Sequence, residues 1–201
     1  NNKALEIYNP TGSTVNLAGY ELWRIANGGN WSEGEGNAVD LSGYGSISAE
    51  DVFVICNSQI AEEYSDDCDV AGTDITYYNG DDAVGLAYNG TLIDAVGEAG
   101  DDPGTGWDVA GVTNATKEHT LVRKMSFTQG NTNWGSSAGT NGDNSEWVVF
   151  EQNTFDYLGS HLDLGDIIGC MDPEAANYNP SATAPCNGCC LYDEDVTIYN
   201  I

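Results

Sequence analysis

Basic residues are nearly missing from this chain. Five Lys and Arg stand against 32 Asp and Glu in 201 residues, a formal net charge of −27. A surface of that sign repels a phosphate backbone and an anionic bilayer, which excludes nucleic acid and membrane insertion as partners of this segment. Histidine occurs only twice, so few groups titrate near neutral pH for acid–base work. Long apolar runs are missing too; none approaches the roughly 20 residues that span a bilayer. No basic-then-apolar leader opens the sequence. Asn1-Asn2-Lys3 runs straight into a strand-like pattern, as expected of a piece of something longer entered mid-domain. What the acidity does suit is solubility in salt, or the collection of divalent cations.

What is present is turn chemistry. Asn89-Gly90 separates Ala83–Tyr88 from Thr91–Gly97, and an Asn-Gly pair favours the φ > 0 geometry of a tight type I′ turn. Val84, Leu86 and Tyr88 share one face at period two, and Leu92, Asp94 and Val96 alternate against Ile93 and Ala95. This is a β-hairpin with a carboxylate pair, Asp81-Asp82, at its mouth. Similar Asn/Gly/Pro punctuation recurs between the short apolar stretches Ala4–Tyr8, Tyr20–Ile25, Val52–Cys56, Thr120–Arg123 and Trp147–Phe150. Regular short strands with such turns predict an all-β sandwich or barrel. Leu5, Ile7, Tyr20 and Leu22 are expected to face the core. The one helical stretch expected is Asn57–Tyr64, with Ser58 as a cap.

The six cysteines are Cys56, Cys68, Cys170, Cys186, Cys189 and Cys190. An even count with a crowded C-terminal group points to disulfides in an oxidising compartment, and proximity pairs Cys56 with Cys68. Zinc is the rival reading, because Cys186-x-x-Cys189-Cys190 offers three thiolates, but His119 and His161 both lie outside that cluster.

Several motifs resemble a family. Lys3-Ala-Leu-Glu-Ile-Tyr-Asn-Pro-Thr-Gly and Val15-Asn-Leu-Ala-Gly-Tyr look like the opening strands of a lamin tail domain of the secreted bacterial type. Asn79-Gly-Asp-Asp-Ala-Val-Gly-Leu, Leu92-Ile-Asp-Ala-Val-Gly, Thr120-Leu-Val-Arg-Lys, Glu146-Trp-Val-Val and Tyr157-Leu-Gly-Ser-His follow in the family's order, so the resemblance spans residues 3 to 161. It implies an immunoglobulin-like β-sandwich over 1–165. The strand that usually precedes Lys3 in such domains is missing from this numbering. Residues 168–192 resemble a Cys-flanked mini-repeat similar to thrombospondin type 3 modules, which by register implies Cys170–Cys190 and leaves Cys186 with Cys189. The usual Asp-Asp-Gly-Ser-Cys ending is replaced here by Pro185-Cys-Asn-Gly-Cys-Cys. Residues 193–201 read as a linker into another domain or as an exchanging strand, since Val196, Ile198 and Asn200 alternate with Thr197, Tyr199 and Ile201.

No spacing supports a catalytic triad from His119, His161, Ser126 or Ser160. Adjacent carboxylates on a strand point to opposite faces and make a poor acid/base pair, whereas a turn can aim several oxygens at one hard cation. Calcium is therefore the expected ligand, at Asp81 and Asp82, at Asp101 and Asp102, and at Asp172, Asn177 and Asn179. The same carboxylates can also simply cap turn amides. Calcium is expected to stabilise the fold, and acid to weaken it. The reading of the whole is a non-catalytic, secreted or cell-surface module of bacterial type. It would be a spacer, adhesive element or subunit of a polymer, partnered by copies of itself or by neighbouring domains. The alternatives are an accessory domain of a larger secreted nuclease or phosphatase, or a carbohydrate-binding module with Trp23, Trp31 or Trp107 as a stacking platform for a glycan.

Overall fold

In the computed structural model, the described residues are 2–31, 38–161, 168–170, 172–180, 184–185 and 190–192. The chain divides into two compact units, Asn1–His161 and Leu162–Ile201, slightly ahead of the boundary expected at 165. The N-terminal unit is an immunoglobulin-like β-sandwich. Its strands in chain order are β1 (Ala4–Tyr8), β2 (Val15–Asn16), β3 (Tyr20–Ile25), β4 (Ala38–Asp40), β5 (Ser46–Ile47), β6 (Val52–Cys56), β7 (Val70–Ala71), β8 (Ala83–Tyr88), β9 (Thr91–Val96), β10 (His119–Arg123) and β11 (Trp147–Glu151).

One sheet has the order β1-β6-β7 and the other β4-β3-β8-β9, with β2-β5 and β10-β11 as short antiparallel pairs. Between the two larger sheets lies a core of Leu17, Leu22, Leu41, Ile47, Phe53, Ile55, Ile75 and Val84, with Leu5 and Ile7 packed against it. The β8–β9 hairpin turns at Asn89 (φ 48°) and Gly90 (φ 73°), the positive pair that a type I′ turn requires.

The central strands of the four-stranded sheet, β3 and β8, are buried on both faces, which simple alternation does not anticipate. Leu22 and Val84 enter the first core, while their neighbours Ile25 and Ala83 join a second one with Trp107, Trp134 and Trp147. The long irregular stretch after β9 supplies that second cover. It includes the short helix α1 (Trp134–Ala138), capped by Asn133, whose side-chain oxygen accepts from Ser136 N–H at 3.0 Å. Gly85 lets this layer come close: a Cβ there would lie 2.5 Å from Leu92 Cδ1 and 2.8 Å from Trp31 Cζ3.

The helix expected over Asn57–Tyr64 does not form. The chain makes a turn closed by Ile60 N–H on Asn57 O, then a 3₁₀ helix over Glu62–Asp67. Asn57 is fully buried and decides this. Its Oδ1 accepts from Gln59 N–H at 3.0 Å and its amide reaches Thr76 O at 3.3 Å, a local arrangement that competes with helix. Directly beside it, Cys56 is bonded to Cys68.

In the C-terminal unit, β12 (Ile168–Gly169) runs parallel to β13 (Ala184–Pro185), and Cys170 is bonded to Cys190. Asn179 N–H donates to Cys170 O at 2.8 Å, and Ala176 N–H to Leu191 O at 2.7 Å. The expected Cys186–Cys189 pairing lies outside the described residues.

Replacing Cys56 and Cys68 together by Ala should lower unfolding stability by about 3 kcal/mol, the chain-entropy value for a loop of this size. Guanidinium titrations of the oxidised chain and the variant check it. Equal midpoints would show that the bridge does not constrain the unfolded chain.

Candidate functional site

A network of charged side chains sits where β9 meets the β10–β11 pair. Arg123 on β10 donates from Nη1 and Nη2 to Asp94 Oδ2 and Oδ1 at 2.5 and 2.8 Å, a bidentate fork across to β9. Its Nε lies 3.5 Å from Glu146 Oε2, and its guanidinium sits 4.4 Å from the Trp147 ring centroid. Glu146 is in turn held by Asn131 Nδ2 at 2.7 Å and Ser137 Oγ at 2.9 Å, while Trp147 Nε1 donates to Ser137 Oγ at 2.9 Å. Asn131 N–H completes the set on Asp94 Oδ1 at 2.9 Å. Apart from Arg123 Nε, which is buried without a hydrogen bond, the polar groups of this network point at one another. Such closure makes a structural node.

The other cations are used in the same way. Arg24 reaches Asp82 at 3.3 Å, Lys3 donates to Tyr78 O, and Lys124 donates to Gly142 O and Ser145 O, both at 2.6 Å. Four of the five basic residues are thus turned onto acceptors of their own fold.

The calcium candidates are distributed between the units rather than gathered. Burial pushes the Asp82 carboxyl up against the pull of Arg24, while Asp81 Oδ1 is buried beside it without a hydrogen bond. Asp101 accepts from Trp107 Nε1 at 3.3 Å, and Asp102 caps Gly104 N–H at 2.9 Å. In the C-terminal unit Asp172 accepts from Tyr192 OH at 2.7 Å and Glu174 N–H at 2.9 Å. These bonds, the tyrosine's first, hold its carboxyl below the usual range. Asn177 Oδ1 accepts from Leu191 N–H at 2.8 Å. Among the described residues, no group of three or more His, Cys, Asp or Glu side chains is placed to share an ion.

The comparison that bears on this fold covers its first half. Residues 1–100 match the family model of the Lamin Tail Domain. Neither a curated protein nor a solved structure matches the chain. The lamin tail match takes in β1 to β9. It stops before the Thr120, Glu146 and Tyr157 motifs, and so before Arg123 and Glu146. The matched segment supplies Asp94; its cationic partner, Arg123 on β10, comes from the half that follows. Two of the three tryptophans considered as glycan platforms are packed away, Trp23 at 9% exposure and Trp107 at 8%, and Trp31 is packed against the second core. His119 Nδ1 sits 2.7 Å from Lys117 O, and His161 lies against Tyr8 with ring centroids 4.4 Å apart. Desolvation first, then the charge of Arg123, lowers the His161 pKa.

The node was invisible to spacing, because its members are scattered from Asp94 to Trp147. The only signal was scarcity: with so few cations, each Arg marks a place where a carboxylate must be buried.

The Glu6 carboxyl on β1 is displaced far from its ordinary range. Burial pushes its pKa up to about 7, assisted by Asp67 and opposed by the Gly159 N–H that Oε2 accepts at 2.9 Å. The folded chain therefore holds a proton that the unfolded chain, with an ordinary value of 4.5, releases. Stability present below that value falls as pH rises through about 7, opposite to the acid weakening expected from the sequence. Glu6→Gln should flatten this dependence by roughly 2–3 kcal/mol between acid and mildly alkaline pH, read from denaturation midpoints across the range. A variant as pH-sensitive as the parent would remove Glu6 from the account. Arg123→Met should lower stability by about 3–5 kcal/mol by stranding Asp94 and Glu146, and Arg123→Lys should recover only part. Urea titration showing less than about 1 kcal/mol would mean the node is solvent-relaxed.

Proposed function

We propose that this chain is a non-catalytic structural module, a spacer or subunit within a surface-exposed or polymeric assembly. The observation that carries the reading is the Arg123–Asp94–Glu146–Ser137–Trp147 network: these side chains serve to join β9 to the β10–β11 pair. An enzyme of this size concentrates unspent polarity in a cleft, with a nucleophile or base aimed outward. Here both histidines line the cavity between β1 and β10, but His119 sits against a backbone carbonyl and His161 against a tyrosine ring. The lamin tail match over residues 1–100 is in keeping with such a module.

An extracellular setting suits the same reading. Disulfides persist in oxidising compartments, and the described residues include two of them, Cys56–Cys68 and Cys170–Cys190. Among those residues no helix is long and apolar enough to cross a membrane. The acidity keeps such a module soluble and discourages nonspecific contact with nucleic acid.

Incubation of the full chain with DNA, a nitrophenyl phosphate ester and a panel of glycans should give neither turnover nor retention. Hydrolysis above the buffer rate, lost in an Arg123 or His119 variant, would overturn the reading.

A further inference from the structure

Two strand edges in the N-terminal unit face the same cavity. Every residue of β1 and of β10 lines a space of about 840 Å³, floored by core residues such as Leu22, Val84 and Leu86. Among the described residues β1 pairs only with β6, and β10 only with β11. The register fixes which backbone groups are left over. Lys3 O accepts from Asn57 N–H and Asn9 N–H donates to Asp51 O, so the odd-numbered positions of β1 face β6. The N–H and C=O groups of Ala4, Glu6 and Tyr8 therefore turn toward the other edge, where Tyr78 OH takes Ala4 O at 2.8 Å. On β10, Lys124 N–H donates to Glu146 O, which sets Val122 and Thr120 toward β11 and turns His119, Leu121 and Arg123 away from it.

The outer side of this space is strapped. Tyr157 packs on Phe150 of β11, Gly159 N–H donates to Glu6, and His161 lies on Tyr8 of β1. The segment 155–161 thus ties the β10–β11 pair to β1 while no strand joins them directly. A strap outside, core side chains beneath and an unpaired ladder on each wall describe a slot for one more strand.

We propose that this slot is filled by the Val196–Ile201 segment of a second copy of the chain. The segment is six residues long against five in each wall strand, and β-branched or aromatic residues fill most of it. It repeats the Ile7-Tyr8-Asn9 at the end of β1 and the residue after it, as Ile198-Tyr199-Asn200. It carries no charge in a chain of −27, so it enters between acidic walls without repulsion. The acidic triplet just before it, Asp193-Glu194-Asp195, would remain at the slot's mouth. Lys3 lines that mouth, and Lys117 stands with Lys3, Asp81 and Glu118 around the adjoining polar pocket, so two of the chain's five basic residues lie at the end of the slot where β1 starts. Alternate side chains, Val196 and Ile198, would drop onto Leu22 and Leu86, and the backbone would complete both ladders. Donation from one copy to the next is heterologous and builds a head-to-tail chain. This inference names the partner of the module proposed above and rests on that reading; a hydrolytic activity would sink the reading while leaving strand exchange measurable.

Sedimentation of the full chain over a wide concentration range should show association that deletion of Val196–Ile201 abolishes. Glu6→Pro should abolish it as well, since the N–H it removes faces the slot and not β6. Hydrogen exchange supplies the second readout. A free peptide of sequence Val196–Ile201, added to the deletion variant, should slow the amides of Glu6, Tyr8, Leu121 and Arg123 and leave those of β8 unchanged. A chain that stays monomeric throughout, association that survives the deletion, or a peptide that leaves those four amides unprotected would each overturn the proposal.

Discussion

Charge scarcity sets the terms on which this sandwich is assembled. With 32 carboxylates and five basic side chains, most acids must remain in water, and only a few can be buried against a cation. Arg123 is where that constraint is met most fully. Its fork takes Asp94 from the edge of one sheet, its Nε approaches Glu146, and its flat face covers Trp147. The planar guanidinium can do all three at once; a lysine ammonium cannot. Around this one side chain the irregular stretch from residue 97 to 146 becomes part of the fold, because Asn131 and Ser137, which complete the node, both lie within it.

That stretch matters because it turns an ordinary half-buried sheet into a doubly covered one. Trp107, Trp134 and Trp147 pack in sequence, with centroids 6.4 Å apart at each step, on the face of β3 and β8 away from the sandwich core. Glycine makes this close approach feasible. At Gly97, where φ is 85°, a Cβ would stand 2.7 Å from the Trp107 ring. The layer has little regular structure, yet its turns are fixed by side chains such as Asn144, whose Oδ1 receives the N–H groups of Thr140 and Asn141.

The parts of the fold that were legible in the sequence are those governed by near neighbours. Asn89-Gly90 announced its hairpin, alternation at Leu5 and Ile7 announced the core face of β1, and Cys56 and Cys68 sat close enough to suggest their bond. Alternation alone did not place Trp23 and Ile25, because a strand buried on both faces has no polar side to read. Ser58 looked like a helix cap, but the buried amide of Asn57 had already committed the backbone to a turn. The Arg123 node was unreadable in advance, since its members depend on how β9, β10 and the Trp134 helix come together. At two of the expected calcium positions the fold adds contacts that the acidic pairs alone do not announce: Asp102 caps the Gly104 amide and Asp82 meets Arg24.

The bond between Cys56 and Cys68 has a mechanical meaning as well as a thermodynamic one. It closes a loop whose ends are separated by 12 positions, directly behind the strand that holds β1 in place. If β1 and β6 were pulled free, the loop behind them would still be closed by the bond. About 40 Å of contour length would stay locked at full extension. Reduction would lengthen each such module under load, so the redox state of its surroundings would set how far a tether built from it can stretch.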